Sequence, residues 1–316
     1  MQAIRFHDFG EPGVLRLEEV ERPVPEAGQV LIKVAGTSFN PVDATFRAGY
    51  LQQAMPIALP HTPGVDVAGT IAENNPTGPL AAAPEGRLAV GDAVIGFLPM
   101  TLAGAAAEFV LAPAEVLTAA PSTIPLADAA AIPAVALTAW QGLFEHLALQ
   151  PGQRILINGA GGGVGGYAVQ FAKQAGATVI ATASPRSTRA VRAAGADQII
   201  DYTTTTVTDA IGEPVDAVFN LAGGDEPAMA ALVALIRPGG TLVSTASPAP
   251  EDTDRKVKTM NMYVRSDATQ LAEIVRRIDT GAVTVGISAR YPLAETAEVH
   301  KLSASGSLRG KVVITA

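Results

Sequence analysis

The stretch NGAGGGVGGY, Asn158 to Tyr167, places six glycines in the eight residues from Gly159 to Gly166. A turn without side chains lets backbone N–H groups approach an anionic ligand, and where such a turn opens a helix, the helix dipole favours negative charge. Two spacings can be read in it: GxGxxG over Gly161, Gly163 and Gly166, and GxxGxxG over Gly159, Gly162 and Gly165. The letters alone leave both open. Context says more. RILIN, just before, is a short apolar run of strand character, and Val164, Ala168, Phe171, Ala172 and Ala175 fall on one helical face, with Gly176 placed as its C-terminal cap. Strand, glycine turn and helix in that order predict a seat for a diphosphate. Close packing of helix on strand is the plainer alternative.

The next strand-like run, TVIATA, leads into SPRSTRAVRAAGAD, and no acid occurs between Ala177 and Ala196. A site for NAD usually carries Asp or Glu near the end of its second strand to bind the ribose hydroxyls. Here Ser184 offers a hydrogen bond, and Arg186 and Arg189 offer charge and bidentate geometry to a 2′-phosphate that an acid would repel. NADP(H) is the cofactor this predicts. Arginines that only solvate a helix face are the alternative, and Arg192 is assigned that role.

The elements that must position these residues follow from a change of pattern along the chain. Up to about Ala120, short strand-like runs (QVLIKVAG, VDVAGTI, DAVIGFL, AEFVLAP) are broken by proline and glycine, which reads as a β-rich, barrel-like domain. From Ala127, alanine-rich helical segments alternate with RILIN, TVIATA, QIID, DAVFN and TLVSTA, the pattern of βαβ units feeding a parallel sheet. The terminal KVVITA is expected to pair back into the first domain. We place that domain at residues 1–124, completed by 279–316, and the second at 125–278. The proline-rich stretch from Asn74 to Gly86 has no usable periodicity and is expected to be a loop.

Composition narrows the function. The 316 residues suit two domains, and 48% apolar with 16% charged residues indicates a dense globular chain. With 22 Lys plus Arg against 30 Asp plus Glu, net charge −8 and no basic run, neither nucleic acid nor an anionic membrane is an expected partner. A small molecule is. The absence of cysteine excludes disulfides, thiolate nucleophiles and sulfur-dependent zinc sites, and His7, His61, His146 and His300 show no metal-binding spacing. The charged N-terminus does not suggest a signal peptide, and the apolar run from Ala129 to Phe144 reads as a buried helix shorter than a bilayer span. A cytoplasmic location is expected.

Read as a whole, the chain resembles the zinc-free quinone oxidoreductase branch of the medium-chain dehydrogenase/reductase superfamily. The segments that carry the resemblance are MQAIRFHDFGEPGVLRLEEVERPVP, GTSFNPVDATFRAG, TPGVDVAG, VGDAV, AAIPAVALTAWQGL, NGAGGGVGGYAVQFAKQAGA, GADQIIDY, LIRPGGTLVSTAS and RGKVVI. The fold implied is α/β: a Rossmann-type doubly wound parallel sheet inserted into a GroES-like β-rich catalytic domain, with the active site in the cleft and a homodimer formed through sheet edges. At the three positions where zinc-dependent relatives carry ligands this chain has Asn40, Val65 and Ala134, which cannot assemble a catalytic zinc site. Hydride transfer to an already electrophilic acceptor remains, with the cofactor carrying the chemistry.

The resemblance implies that Gly162, Gly163, Val164 and Gly165 lie along the diphosphate. Ser184, Arg186 or Arg189, and Tyr202 would surround the adenosine phosphate. Thr138, the backbone at Ala222 and Gly223, and Lys311 would lie toward the nicotinamide. On the substrate side stand Asn40, as a donor to the acceptor oxygen, and Tyr50, as a stacking ring or proton source. Each has a plainer alternative: a strand-end packing tyrosine, a threonine bonded to its own helix, a surface lysine, a turn asparagine before Pro41, a loop-tip tyrosine. Thr45, where some relatives have tyrosine, and GAAAEF, where a glycine–tyrosine pair is usual, depart from the family pattern. The leading reading is an NADPH-dependent, metal-free quinone reductase. The alternatives are a reductase of α,β-unsaturated carbonyls and a catalytically silent NADPH-binding protein.

Overall fold

The computed structural model describes residues 1–75, 82–83 and 86–316. In chain order the strands are β1 (Gln2–Arg5), β2 (Arg16–Glu19), β3 (Gln29–Ser38), β4 (Asp66–Asn74), β5 (Ala82–Ala83), β6 (Gly86–Arg87), β7 (Ala93–Phe97), β8 (Phe109–Pro113), β9 (Leu117–Ala119), β10 (Arg154–Asn158), β11 (Thr178–Ala183), β12 (Gln198–Asp201), β13 (Val215–Asn220), β14 (Ile236–Ser244), β15 (Lys258–Asn261), β16 (Ala289–Pro292) and β17 (Val312–Thr315). The helices are α1 (Pro41–Arg47), α2 (Pro133–Trp140), α3 (Gly163–Gln174), α4 (Thr188–Ala193), α5 (Val207–Ala210), α6 (Glu226–Ala234), α7 (Ala268–Asp279) and α8 (Thr296–Ala304).

The chain divides into two units, residues 1–134 with 265–316 and residues 135–264. The first boundary lies later than the expected 124/125, and the second lies earlier than 278/279. Hydrogen bonds explain the shift of α7. Asp279 at its end accepts from Ser122 N, Thr123 N and Thr123 Oγ1 at 2.9, 3.1 and 2.8 Å, and Ser266 just before it donates to the Phe97 carbonyl at 2.6 Å. The segment Leu126–Ala131 belongs with β3 because Gly36 lets it approach: a Cβ at Gly36 would stand 2.8 Å from the Ala127 carbonyl oxygen.

In the first unit a mixed sheet runs β16-β17-β3-β4-β7-β9, with β8 also paired to β3. Strand β17 lies antiparallel to β3, with Val313 opposite Ser38, so the C-terminal run does return to the first domain. Alternating apolar positions fill the interior with Val30, Ile32, Val67, Ile71, Val94 and Leu117.

The second unit is one parallel sheet in the order β12-β11-β10-β13-β14-β15. This is the doubly wound order, whose strand sequence reverses between β10 and β13. Its central strands are continuous apolar runs, as burial on both faces requires. Edge strand β15 was not expected from the sequence. The apolar run beginning at Ala129 is longer than the sequence suggested: 3₁₀, α and π turns follow one another from Leu126 to His146, 21 residues that pass for a membrane span by length and composition, with 78% of that apolar window buried. In the proline-rich stretch, residues 76–81 and 84–85 lie outside the described residues, while β5 and β6 pair antiparallel.

Candidate cofactor-binding site

The glycines of the turn after β10 have separable jobs. Gly159 has φ +87°, a conformation that L side chains rarely adopt. A Cβ on Gly161 would press into the Ser187 side chain, and one on Gly165 would run into the Ala160 backbone, so these two serve close packing. Gly162 differs. It is exposed, its backbone is extended (φ −86°, ψ 179°), and a Cβ there would come no nearer than 3.6 Å to any neighbour. It is also the N-cap of α3, and no side chain caps that helix. The N–H groups of Gly163, Val164 and Gly165 therefore lack the partner a capping residue would supply. Packing accounts for Gly165, as the plainer reading held. The space over Gly162 and the uncapped helix end fit a phosphate.

Ser187, in contact range of Gly161, belongs to the turn after β11, so the two turns are neighbours. Ser184 is buried (7% exposed), and its carbonyl accepts from Thr188 Oγ1 at 2.9 Å. Arg186 and Arg189 are exposed. The other arginines of this unit outside α4 and the turn before it have acids: Arg154 with Glu213, Arg237 with Asp216 and Arg255 with Asp252. No such pair is found among the described residues for Arg186, Arg189 or Arg192, the last of which lies further along α4. Exposed cations beside a glycine turn suit a phosphate group.

Because the strands are parallel, Tyr202 after β12 and Ala222 and Gly223 after β13 lie at the same sheet edge as the glycine turn. Tyr202 is 54% exposed, and Thr138 on α2 is buried at 8%. Sequence reasoning missed the polar residues that end the apolar runs. Thr182 Oγ1 donates to Asn158 Oδ1 (2.9 Å), Asn158 Nδ2 to Asn220 Oδ1 (2.8 Å), and Asn220 Nδ2 to Ser244 Oγ (3.0 Å). The signal was present, since each residue stands at or near the end of a strand.

The first unit holds Asn40, Lys311 and Tyr50. Two of these require correction. Lys311 is not a surface lysine: it is 3% exposed, and its Nζ bonds Asn40 Oδ1 at 2.6 Å, Asp66 Oδ2 at 3.1 Å and the Phe39 carbonyl at 3.3 Å, which engages all three donors and leaves none directed at a cofactor. Asn40 is 5% exposed, and its amide points inward, with Nδ2 donating to Asp66 Oδ2 at 2.8 Å and to the Ser38 carbonyl at 3.4 Å. It has no free N–H for an acceptor oxygen. Asp66, unremarked in the sequence, is the hub, since it also accepts from Ser38 Oγ and, at 2.7 Å, from Ala134 N. Tyr50 is 82% exposed. Asp43 fixes the loop, as its carboxylate accepts from Asn40 N (2.8 Å) and Gly64 N (3.0 Å); burial nevertheless pushes its pKa up to about 6.

The positions matching the zinc ligands of relatives do converge, for Asn40 and Ala134 both bond Asp66, next to Val65. They bring an amide and a backbone N–H, and the Lys311 ammonium already faces the carboxylate. Asn40, Val65 and Ala134 offer zinc no tetrahedral donor set there. Among the described residues no three His, Cys, Asp or Glu side chains come together.

Comparison with known proteins agrees with this architecture. The alcohol dehydrogenase GroES-like domain matches residues 26–122, and the family described as zinc-binding dehydrogenase matches residues 194–314. The chain is 31% identical over 331 residues to the chloroplast envelope quinone oxidoreductase homolog of Arabidopsis thaliana, covering 99% of this chain and 98% of that one. It is equally 31% identical over 327 residues to the 2-methylene-furan-3-one reductase of Solanum lycopersicum, covering 99% and 79%. A mycobacterial protein solved in complex with NADPH matches it with a TM-score of 0.86 at 28% identity over 100% of both chains. Whole-length likeness of this kind, on a glycine turn and strand order suited to a dinucleotide, places the chain in the zinc-free quinone oxidoreductase branch of the medium-chain dehydrogenase/reductase superfamily, as an oxidoreductase that works with a nicotinamide cofactor.

Proposed function

We propose that this chain is an NADPH-dependent reductase that delivers hydride to a quinone without a metal. The observation that carries the reading is the pair of unneutralised arginines, Arg186 and Arg189, following a strand that ends without an acid and lying beside the open glycine turn. NADPH supplies the hydride. Gly163, Val164 and Gly165 would hold the diphosphate on their N–H groups, Ser184, Arg186 and Arg189 would bind the 2′-phosphate, and the Ala222–Gly223 backbone would help orient the nicotinamide. Tyr50, whose side chain is exposed, is the residue we retain on the acceptor side.

A second reading, reduction of an α,β-unsaturated carbonyl, is supported by the equal identity to the tomato 2-methylene-furan-3-one reductase. Both readings are tested by following the loss of reduced-nicotinamide absorbance with NADPH or NADH and either 1,4-benzoquinone or a simple enone. Faster turnover of the quinone with NADPH supports the first reading, and a preference for the enone supports the second. Turnover with NADH as fast as with NADPH would refute the cofactor assignment.

A further inference from the structure

Four polar side chains cross the carboxyl edge of the parallel sheet as one hydrogen-bonded chain, from Thr182 on β11 through Asn158 on β10 and Asn220 on β13 to Ser244 on β14. The pairing register brings them together, with Asn158 opposite Asn220 and Asn220 opposite Ser244. Thr182, Asn220 and Ser244 are buried at 1, 0 and 0% exposure. Inside an otherwise apolar sheet such groups are tolerated only when their bonds are made, and a connected set then holds one geometry.

Each end of this chain grips backbone. Thr182 Oγ1 accepts from Gly159 N at 2.8 Å, at the first residue of the glycine turn. Asn220 Nδ2 donates to the Ala222 carbonyl at 2.8 Å. Ser244 Oγ accepts from Ser247 N at 3.2 Å, and Ser247 Oγ accepts from Gly224 N at 3.1 Å. The two segments held in this way flank the point where strand order reverses.

We propose that Thr182, Asn158, Asn220 and Ser244 are positioning residues that set the distance between the diphosphate turn and the Ala222–Gly224 segment, and so aim the nicotinamide ring for hydride transfer. The inference rests on the nucleotide-binding reading above. None of the four side chains need touch the reacting atoms. A displacement near 1 Å at the reacting centre lowers rate on the order of 10²-fold while leaving contacts to the distant adenosine half in place.

The test uses the full chain as wild type, T182V, T182S and N158A. Thr182→Val keeps shape and strand preference but removes the hydroxyl that links Gly159 to Asn158, whereas Thr182→Ser keeps it. Binding of 2′,5′-ADP, which mimics only the adenosine half, is measured by calorimetry, and kcat and KM are measured with NADPH and 1,4-benzoquinone. Positioning predicts that T182V and N158A bind 2′,5′-ADP within about threefold of wild type, that their kcat falls by about 10- to 100-fold with little change in the KM for quinone, and that T182S restores the rate. Wild-type kcat in both T182V and N158A overturns the positioning role and leaves the nucleotide reading standing. A T182S as slow as T182V, or loss of 2′,5′-ADP binding in step with kcat, overturns it as well, since the change would then be one of general structure. A wild-type protein that binds neither 2′,5′-ADP nor NADPH overturns the nucleotide reading itself and the positioning role with it.

Discussion

The Lys311 ammonium lies 3.1 Å from Asp66 Oδ2 with both side chains shut away from solvent, at 3 and 0% exposure. Removing one member of such a pair strands the other charge in the interior. Lys311→Met is therefore expected to destabilise the protein by about 3–5 kcal/mol, read as a lowered urea midpoint, while NADPH affinity of the folded fraction stays within twofold. A lysine serving the cofactor would give the reverse, lost affinity at ordinary stability.

Two glycines three residues apart should respond oppositely to the same methyl group. Gly165→Ala pushes Cβ into the Ala160 backbone, an overpacking expected to cost about 1–3 kcal/mol of stability. Gly162→Ala meets only ordinary van der Waals contact, 3.6 Å from the Gly159 carbonyl oxygen, in an unstrained backbone, so its unfolding midpoint should match wild type while NADPH binding weakens at least tenfold. Thermal melts with and without NADPH separate the two. Ordinary NADPH binding by Gly162→Ala would remove the phosphate from this turn.

Arg186 and Arg189 changed together to Ala should weaken NADPH binding by about 2 kcal/mol, near 30-fold, and leave NADH within twofold. Calorimetry with each nucleotide checks this. Equal losses for both would mean that the arginines do not face the 2′-phosphate.

Acid should weaken the first unit, because its buried histidines outweigh its buried aspartate. Desolvation lowers His61 to about 4, and desolvation together with the Arg47 charge lowers His300 to about 3, from an unfolded value of 6.5. The stability they contribute is present above pH 6.5 and is lost as pH falls, since only the unfolded chain takes up those protons. Asp43, raised from 3.8 to about 6, acts in the opposite sense, contributing stability at low pH that disappears as pH rises through 6. Between pH 6.5 and 4 the three together remove about 3 kcal/mol. His300 Nδ1 is buried without a partner, so His300→Leu should retain about 2 kcal/mol more than wild type on going from pH 7 to pH 5, by urea titration. Equal losses in the two proteins would count against this account.

Elements with strong local grammar were readable in the sequence. RILIN, the glycine turn and the helix after it lie where the periodicity put them, because a buried parallel strand and a capped amphipathic helix each carry their own signal. The parallel sheet followed from alternation, and its doubly wound order from the family resemblance. Residues whose role depends on partners far along the chain were not readable. Nothing near Lys311 or Asn40 announces Asp66, since the three meet only when β17, β3 and β4 assemble, and the family pattern instead suggested exposed functional roles for two of them. Asn158, Thr182, Asn220 and Ser244 looked like ordinary strand ends until the register aligned them.

The pairing of β17 with β3 bears on how the molecule is made. As the polypeptide leaves the ribosome, residues 29–38 emerge long before residues 312–315 exist to lie beside them, whereas the continuous stretch 135–264 presents all six of its parallel strands earlier. The nucleotide-binding unit can thus mature during translation, whereas the unit that encloses Asp66 must wait until residues 312–315 have emerged, leaving the flank of β3 that β17 later covers open until then.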